Sequence, residues 1–231
     1  ELKSSVKEGD IEKIKILLEE EVEINGNIFK LDRTGKTASL FGIEQDNDDV
    51  VVPRSISYQD EIYIVRSIIG TQKSRKEIRS LEFEAGSEVR TIYSNSFYES
   101  EIEYLCIPPQ LEELRSGWCS ETDKLTKIEV SPENKNFIVK DNQLLLGKSD
   151  PKSDNFDVLL FAVRDISHVD IPSNIKIISS YAFHKCKNLE HVNIPDNSEL
   201  QSIEEYAFSS SNIKEIIIPP QLEELRSGWC S

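Results

Sequence analysis

Along the later three quarters of the chain, short segments in which polar and apolar residues alternate run into an apolar position that is usually followed by proline. LEF ends at Phe83, LCIP reaches Ile107, IEV ends at Val130, and VDIP, VNIP and IIIP reach Ile171, Ile194 and Ile218. Alternation over three or four residues predicts a strand with one face buried. Successive end points lie 24, 23, 41, 23 and 24 residues apart. VVVP, with Val52, predicts a seventh and less regular strand before the first of them.

The apolar positions between the strands repeat as well. Ile171, Ile175, Ile178, Phe183 and Leu189 correspond to Ile107, Leu111, Leu114, Cys119 and Leu125. No unit of this size can bury such a set alone, whereas stacked units cover one another. IPPQLEELRSGWCS occurs at 107 to 120 and again, unchanged, at 218 to 231, and residues 91 to 120 match 202 to 231 at 18 of 30 positions. The spacing predicts an α/β solenoid of leucine-rich-repeat type, with a parallel β-sheet of about six to seven rungs over residues 50 to 231. With nothing stacked after the second copy, Leu222, Leu225 and Trp229 are expected to be more exposed than Leu111, Leu114 and Trp118. Either a further rung or a second molecule is expected to cover that end, so the uncapped rung is a candidate for end-to-end self-association.

Two segments depart from the period. The step of 41 residues holds a rung plus an excursion at about 132 to 167, whose apolar stretches Leu144 to Leu146 and Val158 to Val163 flank polar turn residues. This predicts a β-hairpin standing off the solenoid. Residues 1 to 49 are expected to form an N-terminal cap. Asp10 can begin a helix through Ile11, Ile14, Leu17 and Leu18, and FKLDRTGKTASLFGI reads as a hairpin turning at Thr34-Gly35.

Charge narrows the partners. The chain carries 42 acidic and 27 basic side chains, a formal charge of -15, which opposes binding to phosphate backbones, so nucleic acid is not an expected partner. A mean hydropathy of -0.41 and the lack of an 18-residue apolar run predict no membrane insertion by this chain. The first residues have neither an apolar core nor a small-residue cleavage site, and so read as no signal peptide. The four cysteines have neither zinc-site nor disulfide-framework spacing.

SYAFHKCKNLEHVNIP and EYAFSSSNIKEIIIP, with the Asn-containing turn NKNF in the excursion, resemble the repeat unit of BspA-like leucine-rich repeat proteins over roughly residues 50 to 231. Two rungs depart from it by carrying GWC where the unit has YAF. The resemblance implies a surface antigen of bacteria or parasitic protists, engaged in cell adhesion or protein binding, located at the cell surface or outside the cell and without catalytic residues. VKEGDIEKIKILLEEEVEIN, at about 5 to 24, is similar to half of an ankyrin repeat. That similarity implies the alternative of a cytoplasmic scaffold joining ankyrin-like and leucine-rich modules.

Strand parity places Glu82, Cys106, Glu129, Asp170, Asn193 and Ile217 on the outward face, beside a second column of Ser80, Tyr104, Lys127, His168, His191 and Glu215. This is the candidate partner-binding face, and its partner is expected to be a protein or cell-surface ligand. His168, His191 and Glu215 stack on adjacent rungs, but with no further ligand they are expected to hold no metal. Cys119 and Cys230 sit where other rungs place Phe183 and read as core residues rather than nucleophiles. No catalytic pairing and no phosphate-binding loop is present, and no cofactor is expected.

Overall fold

Alternation becomes strand throughout the computed structural model, which describes residues 13, 15–16, 18–44, 48–70 and 78–231. In chain order the strands are β1 (Glu20–Ile24), β2 (Asn27–Asp32), β3 (Thr37–Ile43), β4 (Asp49–Val52), β5 (Ser55–Tyr58), β6 (Glu61–Ile68) and β7 (Ser80–Phe83). Next come β8 (Thr91–Ile92), β9 (Tyr104–Ile107), β10 (Glu113–Leu114), β11 (Lys127–Val130), β12 (Ile138–Lys140), β13 (Leu144–Gly147) and β14 (Val158–Ala162). The last are β15 (His168–Asp170), β16 (Ile177–Ile178), β17 (His191–Asn193), β18 (Ser202–Ile203), β19 (Glu215–Ile216) and β20 (Glu224–Leu225).

These strands wind into a β-solenoid of about seven turns with two parallel walls. The main wall holds β4, β7, β9 and β11 in one panel and β15, β17 and β19 in a second. The opposite wall runs β6, β8, β10 and then β14, β16, β18, β20. Most of its strands are two residues long, too short to show as alternation, so sequence patterning predicted only the main wall. Between the walls lies one continuous apolar core, in which Leu81, Leu105, Leu125, Ile175 and Leu189 are fully buried. Each such side chain contributes roughly 1.5–3 kcal/mol by leaving water.

Five rungs turn their corner in the same left-handed way. Asn95, Gly117, Tyr181, Tyr206 and Gly228 occupy equivalent positions and all have φ between 58° and 74°. Four residues later Glu99, Glu121, Lys185 and Ser210 repeat the left-handed conformation. For residues with a Cβ this costs on the order of 1–2 kcal/mol each. It is held in place by backbone hydrogen bonds to the next rung, among them Phe183 N–H to Ala207 O at 2.7 Å and Phe208 N–H to Trp229 O at 2.6 Å.

The GWC departures follow from this corner. Glycine adopts the left-handed position without a steric penalty, and its bare face receives a tyrosine. A Cβ on Gly117 would stand 3.5 Å from the Tyr181 ring, and one on Gly228 3.1 Å from that of Tyr206. The neighbouring tryptophan then supplies the aromatic ring that phenylalanine provides elsewhere. Trp118 lies 6.1 Å from Phe97 and 5.6 Å from Phe161, while Phe183 stacks on Phe208 at 4.7 Å and Phe208 meets Trp229 at 6.0 Å.

Three expectations require correction. The element order is one of strands, so the α/β description gives way to a β-solenoid. The helix expected over 5 to 24 lies for the most part outside the described residues, and its last five residues form β1, paired antiparallel with β2 from Glu20↔Leu31 to Ile24↔Asn27. The excursion does pair antiparallel, β12 with β13 and β13 with β14, but it does not stand off the solenoid. Leu144, Leu145, Leu146, Leu159, Phe161 and Ala162 are at most 3% exposed, and β14 pairs in parallel with β16 as a rung of the opposite wall. A run apolar on both faces belongs inside a stack, not on a projecting ribbon.

This insertion interrupts the main wall, because no ladder pairing joins β11 to β15. Arg164 closes the seam. The residue is 3% exposed and has no carboxylate partner among the described residues; its guanidinium donates to Thr122 O at 3.2 Å, Ala182 O at 3.0 Å and Tyr181 O at 3.3 Å while packing 4.2 Å over Phe161. Backbone carbonyls of the rung before and the rung after thus share one cation. Replacing Arg164 with alanine takes its donor from the Thr122 carbonyl, strips Ala182 O and Tyr181 O of a second donor, and leaves a void beside Phe161. The expected loss is about 3–5 kcal/mol, read from urea denaturation, and Arg164→Lys is expected to recover only part because one ammonium cannot span both rungs. A variant with wild-type stability would show that the seam does not depend on this residue.

The duplicated segment offers an internal control. Trp118 is 3% exposed and Leu111 fully buried, whereas Leu225 is 45% exposed and Trp229 only half-buried. Trp118→Ala is expected to cost about 3–5 kcal/mol, and Trp229→Ala less than half as much. Amides of 107 to 120 are expected to exchange more slowly than the same residues at 218 to 231. Equal costs and equal protection would contradict additive stacking.

Candidate interaction surface

Strand parity carries through to the outward face of the main wall. In the first panel Ser80, Tyr104 and Lys127 align in one column, and Ser80 donates to Asp49 at 2.7 Å. Cys106 and Glu129 align in the other, beside Glu82 and the 56%-exposed Val51. Tyr104 bridges the columns: its hydroxyl donates to Glu129 at 2.9 Å, and Lys127 Nζ lies 4.7 Å over its ring and 2.8 Å from Glu129. Burial, then the hydrogen bond to Glu129, pushes the Tyr104 phenol well up. The hydrogen bonds from Lys127 and Tyr104 hold Glu129 below the usual carboxylate range, while burial raises the Cys106 thiol. The phenol therefore stays protonated, and Cys106 is no activated nucleophile.

The second panel is separate. His168 aligns with His191 and then Glu215, and Asp170 with Asn193. Asn193 donates to Asp170 at 2.8 Å, which holds that carboxyl low, and His168 lies 3.4 Å from it. Among the described residues no group of three or more His, Cys, Asp or Glu side chains converges as a metal site. Ile217, one position beyond β19, is 74% exposed. The twelve residues of the two expected columns are exposed or half-buried, in two sets divided by the seam.

Sequence reasoning passed over the charged bridge on the seam's edge. Glu121, from the rung before the insertion, accepts from His184 at 3.1 Å and pairs with Lys185, and Asp123 accepts from Lys185 at 3.2 Å and from Lys187 at 3.0 Å. These partners are more than sixty residues apart in the chain, and no local motif announces them. Cys119 is buried as expected of a core residue, its thiol pushed up to about 11 chiefly by burial, while Cys230 is exposed.

The family model for BspA-type leucine-rich repeat regions matches six repeat copies, over residues 70–141 and 157–229. The chain belongs to this family. No curated protein matches its sequence. Among solved structures, the BspA-type chain is similar to a leucine-rich cell surface protein from Faecalibacterium prausnitzii, at 18% identity and a TM-score of 0.51, covering 89% of this chain and 50% of that one. A leucine-rich repeat protein from Eubacterium ventriosum matches at 16% identity and a TM-score of 0.52, covering 87% and 66%. At these identities the likeness shows the fold, and the chain spans about half the length of the first. Among the described residues, no helix is long and apolar enough to cross a membrane.

The bridge gives this BspA-type chain a pH dependence. Burial holds His184 below its ordinary value of 6.5, although Glu121 pulls it upward. A histidine whose folded pKa lies below its unfolded one stabilises while neutral, so its contribution is complete above about pH 6.5 and is lost as the pH falls below that. Glu121 is held low, first by the Lys185 hydrogen bond, so its contribution persists to more acidic pH and goes only below about 4.5. The urea midpoint is expected to decline in two steps on acidification. His184→Gln is expected to remove the upper step and keep the lower. A midpoint that rises between pH 7 and 5 would show that His184 is not held neutral.

Proposed function

We propose that the chain is a non-enzymatic interaction or adhesion module, which presents the outward face of its main wall to a protein or cell-surface ligand. The observation that carries this reading is the division of labour within each rung. The inward residues Leu105, Val169 and Val192 are buried in the shared core, whereas Lys127 and Glu129 in one panel and Asp170 and His191 in the other stand exposed, their polar contacts confined to surface neighbours. Such columns can be varied without cost to the core, which suits a repeat scaffold to extended recognition. The cell-surface description of the similar Faecalibacterium protein supports a cell-surface or extracellular setting.

The partner on this reading is a macromolecule with an extended polar surface. The two panels differ in chemistry: the first offers Val51, Tyr104 and alternating charges, the second imidazole, carboxamide and an exposed isoleucine. Contact with both would cross the seam, so affinity is expected to depend on residues from each panel. The test is adsorption of the purified chain to intact cells and to purified surface proteins, with cytosolic protein as the comparison. A variant carrying Glu82→Lys, Lys127→Glu and Asp170→Lys is expected to lose at least tenfold in affinity without change in urea midpoint. Unchanged adsorption, or preference for cytosolic protein, would overturn the reading.

A further inference from the structure

The lysines of this acidic chain are not distributed at random with respect to carboxylates. Twelve lie in the described segments from residue 18 onward, and all but Lys135, Lys148 and Lys152 have an acidic oxygen within 3.5 Å. These three have no carboxylate partner among the described residues, and they line one open cavity of about 510 Å³ together with Asn136, Ser153 and Phe156. One acid, Asp154, also lines it, so the lining is a basin of positive charge on a chain of net charge -15.

The basin is built by the insertion. Lys135 and Asn136 precede β12, Lys148 follows β13, and Phe156 precedes β14. The intervening turn is fixed by its own side chains: Asp150 accepts from the Lys152 N–H at 2.9 Å, Ser153 Oγ from the Asn155 N–H at 3.0 Å, and Asp157 from the Ser149 N–H at 2.8 Å and hydroxyl at 2.7 Å. Asn136 is anchored by donation to Leu111 O at 3.0 Å. Lys148 Nζ sits 4.8 Å over the half-buried Phe156 ring, which places an ammonium beside an apolar wall. Residues 142 to 156, which supply most of the lining, fall between the two blocks that match the family's repeats.

We propose that this cavity binds the carboxylate of an acidic sugar. Three ammonium groups without internal partners call for an anion. The exposed part of the Phe156 ring, with Lys148 over it, adds an apolar wall for the C–H groups of a sugar, and Ser153 lines the same cavity with a hydroxyl. The volume is that of a small-ligand cleft rather than an extended groove. A densely charged polymer meets the repulsion of the remaining acidic surface, whereas a single carboxylate responds to charges within a Debye length, about 8 Å at physiological salt. The site is distinct from the outward face of the main wall, and its failure would leave that reading untouched.

The test is an amide nitrogen–proton NMR titration with sodium glucuronate, with glucose, sodium chloride of equal ionic strength and triglutamate as separate arms. Glucuronate alone is expected to shift residues 135 to 136 and 148 to 156, saturating in the millimolar range that a small polar ligand allows. The combined variant K135Q, K148Q and K152Q, at exposed or half-buried positions, is expected to keep the remaining spectrum and to weaken the response at least tenfold, whereas K187Q is expected to match the parent. No localised shift with glucuronate, an equal shift with glucose or sodium chloride, a response to triglutamate alone, or full binding by the triple variant would each overturn the proposal.

Discussion

No layer of this molecule closes its own core. A rung of some two dozen residues folds its apolar side chains toward an axis, and water is excluded only when the next rung lies over them. The left-handed corners, the aromatic column and the two parallel walls all follow from that requirement, since each aligns like with like along the axis. Corner residues with a Cβ tolerate their conformation because the rung that follows supplies hydrogen-bond partners. Local strain and stacking are therefore coupled, and neither can be read from a single repeat.

Arg164 illustrates the limits of that logic. Where the insertion breaks the strand ladder, backbone contact narrows to bonds such as Arg164 N–H to Leu125 O at 3.0 Å, and the same residue's side chain adds one guanidinium among carbonyls of both flanking rungs. A fully buried cation is costly unless its donors are used, and here corner carbonyls of the two flanking rungs, Thr122, Tyr181 and Ala182, provide the acceptors.

The sequence made the repeats legible because strand alternation and the step of 23 to 24 residues are local and recur. It made the outward residues legible for the same reason: parity alone assigns Glu82 or Asp170 to the exposed face. What stayed hidden was non-local. The opposite wall is built of strands such as Thr91–Ile92, too short to carry a period. The hairpin reads as a projection until one sees that Leu144 to Leu146 have apolar neighbours on both faces, a fact of the stack. In FAVRD the arginine at 164 looks like the polar end of a strand, and nothing in that pentapeptide reveals that carbonyls from the rungs on either side converge on it. Lys135, Lys148 and Lys152 are scattered among acidic residues in the chain and become a group only when the hairpin folds.

The seam also divides the molecule mechanically. Along most of the solenoid a pull on the axis is resisted by rows of backbone hydrogen bonds in the main wall, which share the load among equal links. Between β11 and β15 that row is missing, and tension passes through the hairpin strands, the Arg164 N–H bond to Leu125 O, the Arg164 side chain and the Glu121–Lys185 pair. A structure loaded in this way has one joint that depends on side chains as much as on backbone, so a single substitution there acts on the link between the two outward panels and leaves the ladder inside each panel intact.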